Sequence, residues 1–286
     1  MPHHSQSSSQ EPTNANLRFE VSRTQCRIIL PKATSERESV LGFSHHRAGS
    51  TMLYGILKKL TEAVGMKFVS IPGELFERGI DPRLVEMDAD LSRTGFCFGG
   101  FRFCPDLPMR LIDTARTILL VRDPRDAVVS LYFSARDSHQ LPGPDGALRR
   151  RMMARRQHAS MTPLDEWVVE NHGAVLAAVT SYITSGFLRR PNVVIYRYED
   201  VIYRKRAWVQ DILAWYGWQV RANVVDDIVR SFDTFPEKPD SRRHVRQVHP
   251  GNHKEMLKPA TCERLDSCFA HVLEVLGYAA ESGAGI

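Results

Sequence analysis

Two groups of residues in this chain have the types and spacing to hold an anionic ligand. The first is Arg47-Ala48-Gly49-Ser50-Thr51, preceded by His45 and His46. A glycine lets backbone approach a ligand closely, Ser50 and Thr51 add hydroxyl donors, and Arg47 brings a planar cationic fork. The second is Arg122 with Ser130, a guanidinium and a hydroxyl able to hold another phosphate through charge-assisted hydrogen bonds. Each group also has a plainer reading. Ser50 or Thr51 could simply cap an ordinary strand-to-helix turn, and Arg122 could pair only with Asp123 at a helix start. The neighbouring histidines suggest a metal only if further ligands join them, and no such cluster is visible in the sequence.

The elements around both groups favour anion binding. Val40 to Phe43 is an apolar run, and beyond the loop Leu53, Ile56, Leu57 and Leu60 fall on one helical face. A strand, a small-residue loop and a helix N-terminus together aim backbone N–H groups at a phosphate-like anion. Thr117 to Val121 is continuously apolar, as buried parallel strands are. Pro124 then suits the first turn of a helix predicted to run to about Ser138. Ligands of open α/β sheets sit beyond the carboxyl ends of the strands, where Arg122 would lie. The first loop is not a Walker A motif, because Gly49 is followed by Ser50 and Thr51 with no lysine between.

Elsewhere, residues 1–16 are rich in Ser, Gln and Asn and predict a disordered arm, in which His3 and His4 are solvated. One strand is predicted within Leu17 to Pro31, a short one at Phe68 to Ile71 ended by Pro72-Gly73, one within Gly95 to Phe103, and one at Val193 to Tyr196. Helical periodicity marks Pro163 to Leu188, Arg204 to Trp218 and Ala260 to Leu276. Leu148 to His158 is strongly basic: a solvated helix face near a bound nucleotide, or a patch for an acidic acceptor or nucleic acid. The first is preferred, since no aromatic platform interrupts the run. Strands alternating with helices predict a single α/β domain over residues 17–280, with a mainly parallel central sheet flanked by helices.

Composition bounds the rest. The 286 residues are 43% hydrophobic and 25% charged, which are globular values, and the formal charge of +5 suits an anionic ligand without implying nucleic acid. Five cysteines with no C-x-x-C pair predict reduced thiols and a cytoplasmic protein. No apolar run reaches the length of a membrane span, so no membrane anchor is expected. A homodimer is allowed but not indicated.

The order R-A-G-S-T resembles the 5′-phosphosulfate loop of sulfotransferases that use 3′-phosphoadenosine 5′-phosphosulfate (PAPS), commonly K-S-G-T-T or R-S-G-T-T. Arg122-Asp-Pro-Arg-Asp-Ala-Val-Val-Ser130 closely resembles their 3′-phosphate motif, R-[ND]-P-[KR]-D-x-x-V-S. The resemblance extends from Ser39 to about Leu257 and implies the P-loop-like sulfotransferase fold, with PAPS as cofactor and adenosine 3′,5′-bisphosphate (PAP) as product. It implies donor contacts at Arg47, Ala48, Gly49, Ser50, Thr51, Arg122 and Ser130. Tyr198, in a Y-E-D triplet, would border the adenine, and Phe232, in an S-F pair, would stack on it. Met52 replaces a tryptophan and would pack more softly against the base. Residues 246–254 lie over the closing loop R-K-G-x-x-G-D-W-K. Arg246, Gly251 and Lys254 match it, whereas Gln247, Val248, Asn252 and His253 depart from it.

The catalytic base is the main departure. The K-[ST]-H-x-P stretch of the cytosolic small-molecule enzymes falls on residues 101–105 and leaves Phe103 where their histidine stands. Carbohydrate and tyrosylprotein sulfotransferases use a glutamate instead. Glu74 is the matching residue, with Glu77 second and His45 and His46 as alternatives. The resemblance thus implies sulfuryl transfer to a hydroxyl or amine of a small-molecule or carbohydrate acceptor, with Arg47, Glu74 and His46 as catalytic candidates and no metal. The competing expectation is a P-loop kinase using ATP.

Overall fold

The computed structural model describes residues 18–21, 25–81, 86–88, 91, 93–104, 110–143, 146–233 and 248–278. Strands β1 (Arg18–Val21) and β2 (Gln25–Ile29) pair antiparallel, so the single strand expected before Pro31 is two. Strand β3 (Val40–Ser44) leads through the Arg47 loop into α1 (Ser50–Ala63), and β4 (Lys67–Ser70) leads into α2 (Ile71–Glu77). Pro72-Gly73 therefore ends a strand by starting a helix, since a proline lacking its N–H is harmless in the first turn. Strand β5 (Glu86–Asp88) joins β2 in the small sheet, and β6 (Phe96–Phe101) precedes α3 (Arg110–Thr114).

Strand β7 (Thr117–Val121) runs into α4 (Pro124–Phe133), which Asp123 caps by accepting from the Arg125 N–H at 2.9 Å. The helix expected to reach Ser138 changes to a π turn over Ser134–Ser138. Then follow α5 (Ala147–Met161), α6 (Leu164–Asn171), α7 (Gly173–Thr184), β8 (Val193–Arg197), α8 (Tyr198–Val201) and α9 (Lys205–Tyr216). The chain closes with α10 (Ala222–Phe232), α11 (Asn252–Met256) and α12 (Pro259–Leu276). Sequence reading had not marked α10 or α11 as helices.

The main sheet is five-stranded and wholly parallel, in the order β4-β6-β3-β7-β8. Its alternation explains the continuous apolar run of β7. Ile118 and Leu120 face a core shared with α1 and α9, while Leu119 and Val121 face one shared with α4, α7 and α12. Gly42 in β3 lets α1 lie close, because a Cβ there would stand 2.4 Å from Leu57 Cδ1. The central strands β3 and β7 thereby deliver the Arg47 loop and Arg122 side by side at the carboxyl end of the sheet. No helix among the described residues is long and apolar enough to cross a membrane.

Candidate active site

The loop after β3 is held in an uncommon backbone shape. Arg47 has φ 65°, a left-handed conformation that disfavours residues with a Cβ, and Gly49 has φ 84°. A Cβ on Gly49 would also lie 2.7 Å from Tyr198 Cδ2, so only glycine fits. His45 anchors this shape from below. Its buried ring approaches the His46 carbonyl through Nδ1 (3.0 Å) and accepts the Arg122 N–H at Nε2 (2.9 Å). Nε2 also lies 3.0 Å from the Arg122 carbonyl, so backbone groups of both strands hold the ring. Burial pushes the imidazole pKa down to about 4, against the opposing pull of its backbone partners. His45 is therefore a strut joining β3 to β7, with both ring nitrogens engaged, rather than an accessible base.

Arg122 is 4% exposed and projects from the end of β7. Its Nη1 donates to the Arg47 carbonyl (3.4 Å), its Nη2 to Asp126 Oδ2 (3.3 Å), and its guanidinium carbon lies 4.6 Å from the Tyr198 ring centroid. Its Nε is buried with no hydrogen-bond partner among the described residues. Ser130, two turns into α4, accepts from Arg47 Nε at 3.1 Å, so the two anion-binding groups inferred from sequence are directly linked.

Asp126 closes the arrangement. Wholly buried, it accepts from Gly251 N (2.7 Å), His253 N (3.0 Å) and His253 Nδ1 (2.7 Å) as well as from Arg122. Burial alone would raise its pKa, but these donors outweigh burial and hold it at about 2. Tyr198 is packed between Gly49 and Arg122, and its hydroxyl donates to the Val248 carbonyl at 2.8 Å. Behind this layer Asp123 binds Arg125, which also reaches Asp266, and Glu199 accepts from Asp123 N and the Tyr278 hydroxyl.

The remaining candidates divide. Ala48 is buried in the loop turn, and Ser50 and Thr51 open α1 at an N-terminus whose dipole favours anions. The Phe232 ring lies over Gly55, one turn from Met52, so those two base-flanking candidates share the seam of α1 and α10. Arg246 and Gln247 lie outside the described residues. Glu74 is in the first turn of α2, 7% exposed, at the carboxyl end of β4. His46 is half-buried, and burial followed by Arg102, His139, His45 and Arg155 keeps its imidazole neutral well below the ordinary histidine range. The roles of His45, Asp126 and His253 had no sequence signal, since their partners lie 77 to 127 positions away.

A family model described as "Sulfotransferase domain" matches residues 104–277, more than half of the chain. A search of curated proteins finds no match. Among solved structures, mouse sulfotransferase SULT7A1 complexed with PAP shares 16% identity at a TM-score of 0.52, over 82% of this chain and 84% of that one. Retinol dehydratase in complex with androsterone and inactive cofactor PAP shares 14% at 0.50, over 82% and 80%. Retinol dehydratase with retinol and PAP shares 13% at 0.50, over 85% and 82%. These likenesses establish the fold, and the match over residues 104–277 takes in Arg122, Ser130, Tyr198 and the Asp126-anchored loop: the chain belongs to the sulfotransferase family.

Proposed function

We propose that this chain is a PAPS-dependent sulfotransferase acting on a hydroxyl of a small molecule. The observation that carries the reading is the linked pair of anion sites: Arg47 with the α1 N-terminus, and Arg122, whose buried Nε has no hydrogen-bond partner among the described residues, beside the Gly251 loop. An ATP site needs no second phosphate position of this kind, whereas a 3′-phosphate does. The chemistry of the donor set fits the group, because guanidinium, hydroxyl and helix dipole all favour phosphate oxygens. Bound there, PAPS would supply the sulfuryl group and a stable bisphosphate leaving group.

The chain's own residues would then act by position and charge. Arg47, Ser50 and the loop amides would stabilise negative charge gathering on the 5′-phosphate oxygen. Arg122, Ser130 and the Asp126-anchored loop would fix the 3′ end. Glu74 is the favoured base, a buried carboxylate past the carboxyl end of β4 at the same end of the sheet as the loop, taking the proton from the acceptor hydroxyl as its oxygen–sulfur bond forms. Phe103 in place of a histidine supports that choice, and neutral His46 stands as the alternative. The small-molecule acceptor is favoured by neighbours crystallised with retinol or androsterone; a carbohydrate hydroxyl is the competing acceptor.

Calorimetry with PAP, ADP and ATP tests the donor assignment. PAP is expected to bind without added metal and at least about tenfold tighter than ADP, with the advantage lost in Arg122→Ala. Equal or tighter binding of ATP with Mg²⁺ would return the chain to the kinase reading.

A further inference from the structure

Helices α9 and α10 meet through a pair of charges that each helix alone disfavours. Lys205 is the first residue of α9, where the positive end of the helix dipole opposes an ammonium, and no acidic residue stands in that first turn. Asp233 is the C-cap of α10, where the negative end opposes a carboxylate. The two residues are joined directly. Lys205 Nζ donates to Asp233 Oδ1 at 2.9 Å, and also to the Ile202 carbonyl at 2.7 Å. The lysine is 4% exposed, whereas the Asp233 side chain is half-exposed. A buried ammonium holds its carboxylate firmly, because separating them would leave a charge poorly solvated. The pair thus fixes Asp233 better than its own backbone does, since its N–H donates to the Arg230 carbonyl at a long 3.4 Å.

What Asp233 holds in turn is the residue before it. Phe232 ends α10 with its ring laid on Gly55 of α1, where a Cβ would stand 2.5 Å from ring carbons Cε1 and Cζ. Ser231 accepts from Lys59 Nζ of the same helix at 3.3 Å. Helix α1 begins at the anion loop, so the last turn of α10 is tied on one side to the helix assigned to the 5′-phosphate. Lys205 ties it on the other. The Phe232 ring between these ties is only half-buried.

We propose that Lys205 is a positioning residue for the donor nucleotide: through Asp233 it pins the last turn of α10 and so presets the Phe232 ring against the adenine. The inference rests on the sulfotransferase reading and on Phe232 flanking the base. A ring fixed before the nucleotide arrives loses less freedom on binding, and its smaller ordering cost appears as affinity. The effect is carried by Asp233 and Phe232, not by contact between the ammonium and the nucleotide.

A double-mutant cycle on PAP binding, read by calorimetry on the full chain, tests this. Phe232→Ala is expected to weaken PAP at least about tenfold, as loss of one base–aromatic stack does. Lys205→Met and Asp233→Ala are each expected to weaken it about fivefold, near the ordering cost of one side chain. Added to Phe232→Ala, either substitution should cost less than about a further twofold, because the ring it positions is gone. A merely structural lysine would lower affinity equally with or without the ring, so losses that multiply overturn the proposal. It is also overturned if Phe232→Ala or Asp233→Ala binds PAP within about twofold of wild type. The Asp233 arm alters a half-exposed side chain, so it decides the matter even where Lys205→Met does not fold. Failure of the wild-type chain to bind PAP is a separate result, one that removes the donor assignment itself.

Discussion

Replacing Asp126 by asparagine measures how the 3′ side of the site is held. The wild-type carboxylate is wholly buried and accepts four hydrogen bonds, from Gly251 N, His253 N, His253 Nδ1 and Arg122 Nη2, at 2.7 to 3.3 Å. Together they lower its pKa from 3.8 to about 2 despite burial. That interval corresponds to about 2 kcal/mol of folded-state preference for the charged form. Asparagine keeps the shape and one acceptor oxygen, but turns an N–H₂ group toward donors and leaves Arg122 beside a neutral partner. Breaking a buried pair of this kind costs about 3–5 kcal/mol. We expect a loss of about 3 kcal/mol at pH 7 in urea unfolding followed by circular dichroism, the retained oxygen placing it at the lower end.

The sign of the pH dependence follows from the depressed folded-state pKa. Stabilisation from Asp126 is fully present above its unfolded value near 4 and is lost as pH falls toward 2. The gap between wild type and Asp126→Asn should therefore narrow as pH falls from 5 toward 3. A gap below about 1 kcal/mol at pH 7, or one constant across that range, would refute the reasoning.

Three other outcomes are expected. Gly49→Ala adds a Cβ 2.7 Å from the Tyr198 ring at a left-handed φ, so it should destabilise the fold by about 1–3 kcal/mol and weaken PAP binding, both readable by thermal unfolding with and without PAP. His45 has a folded pKa of about 4 against 6.5 unfolded, so its contribution is intact above about 6.5 and is lost as pH falls toward 4. His45→Asn should be less stable at pH 7 yet lose less stability between pH 7 and 5, and an unchanged slope in urea unfolding would contradict the neutral-strut assignment. Glu74→Gln should lower kcat by about 10²–10⁴ in a sulfate-transfer assay while leaving PAP affinity intact, and near-normal kcat would move the base to His46.

The parts of the site legible in sequence were those made by local chemistry. Gly49 between a small-residue loop and an apolar helix face signals close backbone approach to a ligand. The run Thr117 to Val121 signals a buried parallel strand, and Pro124 a helix start; both of these stand as read. Pro72-Gly73 ends the strand there as read, but the helix it opens was not marked, because proline suits a strand end and a helix start equally well. What sequence could not show is pairing through space. Asp126 is a helix residue in a recognised stretch, yet its function as acceptor for Gly251 and His253 depends on chain more than 120 positions away. The division of α5 into a solvated side and an inward side was equally hidden, since arginines stand on both.

The hydrogen bonds that hold the site join segments 75 to 127 residues apart, from Arg122 to the Arg47 carbonyl and from His253 to Asp126. Contacts of such separation form only after long loops have closed, which places them late in folding. Nucleotide that requires all three segments has little to grip in the folding transition state. It would leave the refolding rate nearly unchanged and act instead as a brake on unfolding, prolonging the life of the assembled molecule.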